Sequence, residues 1–155
     1  MIVGATRDGG ISAREMHDML AHLMDFRKAY EEAMDEQDLD ILLFPAAALP
    51  AFKHGMAKDL VVSLTYFFLA NLLHWPAGVV PVTNVRKDEE GYYSNLELPT
   101  IQRDRFAPLC RESMEGSEGL PFGVHVMARS YEDELCLHTM KLIEDGLKKL
   151  REGEE

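Results

Sequence analysis

Apolar residues recur at three- and four-residue steps from Met16 through Met19, Leu20, Leu23, Phe26 and Tyr30 to Met34. That period matches the turn of an α-helix, so it predicts a helix of about 25 residues with one apolar stripe and a charged back. Ser12 and Glu15 stand ahead of it at capping-box spacing, where each side chain can satisfy a free backbone N–H of the first turn. A stripe of this kind is ordinarily core packing rather than a cofactor-binding face. Residues 1–11 carry Gly4, Gly9 and Gly10 with little periodicity, and read as an irregular lead-in.

The pattern changes between Asp38 and Asp40. Residues 41–44 form a short apolar run closed by Pro45, as expected of a strand buried on both faces. Pro45 and Pro50 then bracket a loop containing three alanines. Residues 60–85 hold no charge and are long enough to cross ~30 Å of hydrocarbon. Ser63, Thr65, Asn71 and His74 interrupt the run, however, and Pro76, Gly78 and Pro81 would break a spanning helix. A buried helix to Leu73, a turn, and a buried strand over 78–85 fit better.

Residues 87–118 are polar, with Gly91, Pro99, Pro108 and Gly116, and predict a surface excursion with a short helix near 106–114. Alternation returns from Val124 to Ala128 and predicts a third strand. Ser130 and Asp133 can cap a last helix, whose apolar face is Leu135, Met140, Leu142, Ile143, Leu147 and Leu150. Lys148, Lys149 and Arg151 sit where the helix dipole favours cations. Strands separated by helices imply an α/β fold, with helices packed on a small, mainly parallel sheet. So narrow a sheet leaves two open edges, which suits a single partial domain over 1–155 that is a piece of a larger body.

Composition adds exclusions more than assignments. A chain of 155 residues with 46% apolar content can build a globular core. Its net charge of −11 would repel a phosphate backbone, so no nucleic-acid partner is expected. The acidic residues at 31–38 and at the C-terminus read as solvated faces. Cys110 and Cys136 do not make a disulfide framework, and no charged-then-apolar leader opens the chain. A reducing setting is expected, cytoplasmic or peripheral to an intracellular membrane. The six histidines lack ligand spacing, so neither a metal nor another cofactor is expected.

No residue stands out as a catalyst. Ser117, in Gly116-Ser117-Glu118-Gly119, has the wrong spacing for a nucleophile elbow and no apolar strand leading into it. His125 reads as a satisfied core histidine or a surface residue of an alternating strand. Cys110 and Cys136 have acidic neighbours, which raise a thiol pKa and work against reactivity. There is no Gly-rich phosphate loop and no carboxylate pair with acid–base spacing.

Three blocks nevertheless appear together. They are Leu39-Asp40-Ile41-Leu42-Leu43-Phe44-Pro45; the run N-L-L-H-W-P-A-G-V-V-P-V-T over 71–83; and G-L-P-F-G-V-H-V over 119–126, followed by Asp133-Glu134-Leu135-Cys136-Leu137. In order and separation they resemble the C-terminal portion of amidase-signature hydrolases of the fatty-acid amide hydrolase type. The resemblance implies amide-bond hydrolysis by a serine activated through a second serine and a lysine, beside a Gly/Ser-rich oxyanion loop. Those elements lie upstream of the three blocks in the family, and no such run occurs here, so no catalytic residue is carried over. The helix leading into the second block lines an acyl channel in the family, and the matching positions are Val61, Leu64 and Phe68. Core packing explains these three equally well.

The expected function is therefore the C-terminal part of an acyl amide hydrolase that needs the N-terminal Ser-Ser-Lys region for activity. An acyl amide is then the partner of the complete enzyme. The alternative is a non-catalytic remnant that binds a lipid, forms a homo-oligomer or pairs with a full-length amidase. Exposed sheet edges would favour such pairing.

Overall fold

The computed structural model of the chain describes residues 10–91 and 106–153. The order is α1 (Ala13–Glu36), β1 (Ile41–Pro45), a 3₁₀ turn (Val61–Leu64) running into α2 (Thr65–Leu73), β2 (Ala77–Asn84), a 3₁₀ turn (Lys87–Glu89), α3 (Ala107–Met114), β3 (Pro121–Ala128) and α4 (Asp133–Gly153). The predicted lead-in falls mostly outside the described residues, as does the 92–105 part of the polar excursion. Its short helix is present as α3.

The three strands form one sheet in the order β1-β3-β2. Both pairings are antiparallel, with Leu43 opposite Val126 and Gly78 also opposite Val126. The expectation of a mainly parallel sheet is thus corrected. β1 and β2 do run the same way, joined through α2 as a strand–helix–strand unit. β3 inserts between them in the opposite sense, giving a split crossover. Helix–strand alternation in sequence cannot reveal which strand slots between two others.

That insertion also decides burial. β3 is central and covered on both sides: Val126, Met127 and Ala128 are fully buried. On one face Val126 and Ala128 pack with Val80 and Cys136, joined by Met140 and Ile143 of α4. On the other, Met127 packs with Met34, Leu73 and Trp75. A third cluster, of Leu49, Leu60, Val85, Cys110 and Met114, lies under the 46–60 loop and α3.

β1 and β2 pair only with β3 among the described residues, so each is an edge strand. The reading of β1 as buried on both faces fails at Leu43, which is 57% exposed. In β2 only Val80 is fully buried, and its neighbours Val79 and Pro81 face outward. Pro81, which has no N–H to give a ladder, sits beside a register shift before Thr83, the kind of place where a strand tolerates proline.

The uncharged 60–85 run divides as expected. α2 ends at Leu73, and His74 takes a left-handed conformation (φ 58°) that turns the chain into β2. No helix among the described residues is long and apolar enough to cross a membrane. α2 is less buried than predicted: Leu73 is enclosed, while Tyr66, Phe68 and Leu72 are exposed. At Gly78 a Cβ would lie 2.5 Å from the Met140 sulfur, so this glycine lets α4 settle against β2.

α1 has the predicted capping box, with the Ser12 hydroxyl accepting from the Glu15 N–H and the Glu15 carboxylate accepting from the Ser12 N–H. Its C-terminal end is held from several sides. Arg27 donates to the Leu72 carbonyl at 2.6 Å. Arg129 pairs with Asp35 and donates to the Leu39 carbonyl at 2.8 Å. Tyr30 and Met34 enter the core. The N-terminal half does not follow. Residues 11–22 are all exposed, and Met19 and Met24 are 59% and 69% accessible. The stripe expected to be core therefore packs only over its last turns among the described residues.

Candidate functional site

Where α1, β1 and α2 converge, aromatic side chains line a path in two separate segments. Phe26 meets Tyr30 at 5.3 Å between ring centroids, and Tyr30 meets Trp75 edge-on at 6.1 Å. Tyr66 stacks on Phe44 at 6.4 Å, and Phe44 and Phe67 hold the His125 ring between them at 4.7 and 5.2 Å. Such rings bring large apolar area and preferred tilted contacts. Over part of this path opens a cleft of about 410 Å³, lined by Tyr30, Leu42, Leu43, Phe44, Thr65, Tyr66 and Leu69. A smaller apolar cavity of about 170 Å³ lies among Leu49, Leu60, Val62, Phe106 and Cys110. Both suit hydrocarbon: each methylene moved out of water contributes roughly 0.8 kcal/mol.

The acyl-channel candidates are interspersed in sequence with the residues that line these two openings. Val61 and Leu64 share the 3₁₀ turn, where residues three apart eclipse, and Phe68 follows in α2. Val61 and Leu64 are half-buried and Phe68 is 40% exposed. Neighbouring positions, not these three, line the openings: Val62 the smaller, and Thr65, Tyr66 and Leu69 the larger. Sequence reading missed Tyr30, Phe44 and Tyr66. Each sits in its own periodic segment, and only the sheet order brings the three segments together.

The polar candidates are enclosed. Ser117 is buried in the loop between α3 and β3, and its hydroxyl has no hydrogen-bond partner among the described residues. Cys110 and Cys136 are both buried. Burial, and then the Asp133 charge, raise the Cys136 thiol pKa, and its sulfur lies 3.6 Å from the Val126 carbonyl. His125 is a core residue rather than a surface one, and burial lowers its pKa, keeping the ring neutral at pH 7. It is not the satisfied core histidine of the sequence reading, because Nδ1 has no partner among the described residues. Among the described residues, neither the Ser117 hydroxyl nor His125 Nδ1 has a hydrogen-bond partner that could activate it. The described residues contain no cluster of three His, Cys, Asp or Glu side chains able to hold a metal. What the arrangement can do is bind apolar surface.

Comparison with known proteins gives this surface a context. Fatty acid amide hydrolase 1 of Caenorhabditis elegans is 35% identical over 84% of this chain and 22% of its own length. The Sus scrofa fatty-acid amide hydrolase 1 is 32% identical over 69% of this chain and 18% of its own. An amidase of Gibberella moniliformis is 26% identical over 83% of this chain and 20% of its own. The chain thus spans about a fifth of the length of the curated relatives it matches. A solved fatty acid amide hydrolase superposes on 89% of this chain and 24% of its own with a TM-score of 0.71 at 19% identity, which shows a shared fold. The amidase family's sequence profile matches residues 7–137. The chain belongs to the amidase family.

Proposed function

We propose that this chain is the C-terminal part of an acyl amide hydrolase of the fatty-acid amide hydrolase type. Its share of the work is apolar: it shapes one side of an acyl-binding channel, through Val61, Leu64 and Phe68. The nucleophilic serine, its activating serine and lysine, and the oxyanion loop come from an N-terminal region. The observation that carries this reading is the 71–83 block, which begins in the last turn of α2, runs into β2 and sits within a stretch 35% identical to a protein named for fatty acid amide hydrolysis. No Gly/Ser-rich run accompanies it in the sequence.

The isolated chain is expected to show no hydrolysis of a long-chain acyl amide. A chimera in which it replaces the matched segment of the Caenorhabditis elegans relative is expected to turn that substrate over. Turnover by the isolated chain that disappears with one serine substitution would mean the site has been misread. A fluorescent fatty acid whose binding to the chimera ignores charged substitutions at Val61, Leu64 and Phe68 together would remove the channel assignment.

A second reading is pairing, without catalysis of its own, to a full-length amidase. The exposed half of α1 and the open edges of β1 and β2 favour it, since each calls for a polypeptide neighbour.

A further inference from the structure

α4 carries a second strip beside the one that packs on the sheet. Leu137, Met140, Leu147 and Arg151 lie three, seven and four residues apart, on one side of the helix, and Lys141 and Lys148 flank them. These residues line a groove of about 510 Å³ whose other wall is β2, from Val79 to Asn84.

One contact sets the register along this groove. A Cβ at Gly78 would lie 2.5 Å from the Met140 sulfur, so the strand and the helix meet there. β3 runs antiparallel to β2, and α4 turns back over β3, so α4 follows β2 in the same sense. From Gly78 to Asn84 the strand rises about 20 Å, and from Met140 to Arg151 the helix rises about 17 Å. Asn84 therefore comes level with the last turns of α4, where Lys148 and Arg151 stand.

The two ends of the groove differ chemically. Near Gly78 the walls are Val79, Leu137 and Met140, and Leu137 is 64% exposed. At the other end are the Asn84 amide and two cations. Glu144 holds Lys148 at 3.0 Å and Asp145 holds Lys141 at 2.9 Å, whereas Arg151 has no ion-pair partner among the described residues. In a chain of net charge −11, this groove is lined by three cations and one carboxylate, Glu144. The helix dipole accounts for cations in the last turn of α4, but not for Lys141, about three turns from the helix end on the same side.

That polarity selects an occupant. A polypeptide strand added to β2 needs an unbroken ladder, yet Pro81 has no N–H and the register slips between Pro81 and Thr83. An anionic bilayer meets the repulsion of the whole chain and is too broad for a slot between a helix and a strand. A neutral or cationic amphiphile offers nothing to the Arg151 guanidinium. A single-chain carboxylate suits both ends: its tail covers the apolar walls, and its planar head accepts two parallel N–H bonds from arginine.

We propose that the groove between β2 and α4 binds a long-chain fatty carboxylate, with the head at Lys148 and Arg151 and the tail along Val79, Leu137 and Met140. The groove is separate from Val61, Leu64 and Phe68, none of which lines it. Hydrolysis of an acyl amide releases an acid of this class, so the groove holds the product of that reaction; this link alone rests on the proposed function.

Titration of the chain with cis-parinarate, a fluorescent fatty acid, tests the site. One saturable site is expected, displaced by oleate and not by methyl oleate. Lys148→Glu combined with Arg151→Glu is expected to weaken binding about tenfold. Arg14→Glu combined with Lys28→Glu, an equal change of charge at exposed positions on α1, leaves the affinity unchanged. Leu137→Glu is expected to weaken it about fivefold. The absence of saturable binding overturns the proposal. So does equal weakening by the two charge pairs, which means attraction by net charge alone. Displacement by methyl oleate as readily as by oleate, by an acidic peptide but not by oleate, or a signal that needs anionic vesicles also overturns it. Binding lost on charging Val61, Leu64 and Phe68, and kept in the Lys148 and Arg151 variant, places the acid in the acyl channel; that result removes the groove and supports the functional reading. Binding lost in the Lys148 and Arg151 variant alone, beside a chimera that never cleaves an acyl amide, keeps the groove and removes its link to the reaction.

Discussion

α1 and α4 are the two long helices among the described residues, 24 and 21 residues, and each carries a clear apolar stripe. Their fates differ. α4 lies on the sheet, where Cys136 is buried and Met140 and Ile143 pack with Val80, Val126 and Ala128. Gly78 clears the space that Met140 fills. α1 reaches the core only through Tyr30 and Met34, and its first turns touch no core cluster. Periodicity shows which face of a helix must be covered. It does not show whether the cover belongs to the same chain, and here one helix brings its cover and the other awaits it.

The contrast is sharpest in substitutions that place the same charge on the two surfaces. Val126 is fully buried beneath α4 at the centre of the sheet. Val126→Asp would bury an unpaired carboxylate there, an expected loss of about 4 kcal/mol or more, comparable with the whole stability of a small domain. Far-UV circular dichroism should find the variant largely unfolded at room temperature. A cooperative, near-native melt would mean that β3 is not the fully covered strand described here.

Truncation gives a smaller but more specific contrast. Met140→Ala removes a half-buried side chain that meets β2 at Gly78, with an expected cost of about 2 kcal/mol in urea unfolding. Met24→Ala, on the open half of α1, should leave the midpoint unchanged. Equal costs at the two positions would erase the distinction between the helices.

Much of this arrangement was legible in the sequence. Ser12 and Glu15 announced the start of α1, and Leu73 was read correctly as the end of α2, because capping and chain reversal are local physics. Among the described residues, three strands and four α-helices follow the order of the patterns. What could not be read was non-local. The insertion of β3 between β1 and β2 reversed the expected strand direction and made β3 the central strand, leaving β1 and β2 as the edges among the described residues. The cleft combines Tyr30, Phe44 and Tyr66 from three segments, none of which marks a site alone. The 71–83 block resembled the family's, and the amidase match over residues 7–137 bears that kinship out.

The packed side also contains a histidine whose pKa is shifted by burial. His125 lies between Phe44 and Phe67, and burial holds its folded pKa below the 6.5 of an exposed histidine. As pH falls below about 6.5 the unfolded chain takes up a proton that the folded chain still refuses. The stability linked to this group is therefore fully present above that pH and is lost as pH falls towards the lowered folded value. Melting temperature should decline as pH falls below about 6.5, ahead of any loss from the carboxylates of Glu90 and Asp145, whose lysine partners lower their pKa values. In His125→Gln that early decline should flatten. An unchanged slope would show that the ring is hydrated and titrates normally.

The smallest expected effect decides most about the open helix. Met19→Asp puts a charge on a side chain 59% exposed, in a half of α1 that supports no core contact. In the isolated chain the change should stay within about ±0.5 kcal/mol, the range of an ordinary surface substitution. Urea midpoints measured over a range of protein concentrations test this. If the parent chain is stabilised by concentration and Met19→Asp abolishes that gain, the seam of α1 is already occupied by another copy, despite the acidic flanks. If the variant loses 2 kcal/mol at every concentration, α1 folds back onto its own chain and the contrast with α4 disappears. A neutral result at every concentration leaves α1 as a helix whose apolar side is exposed in isolation.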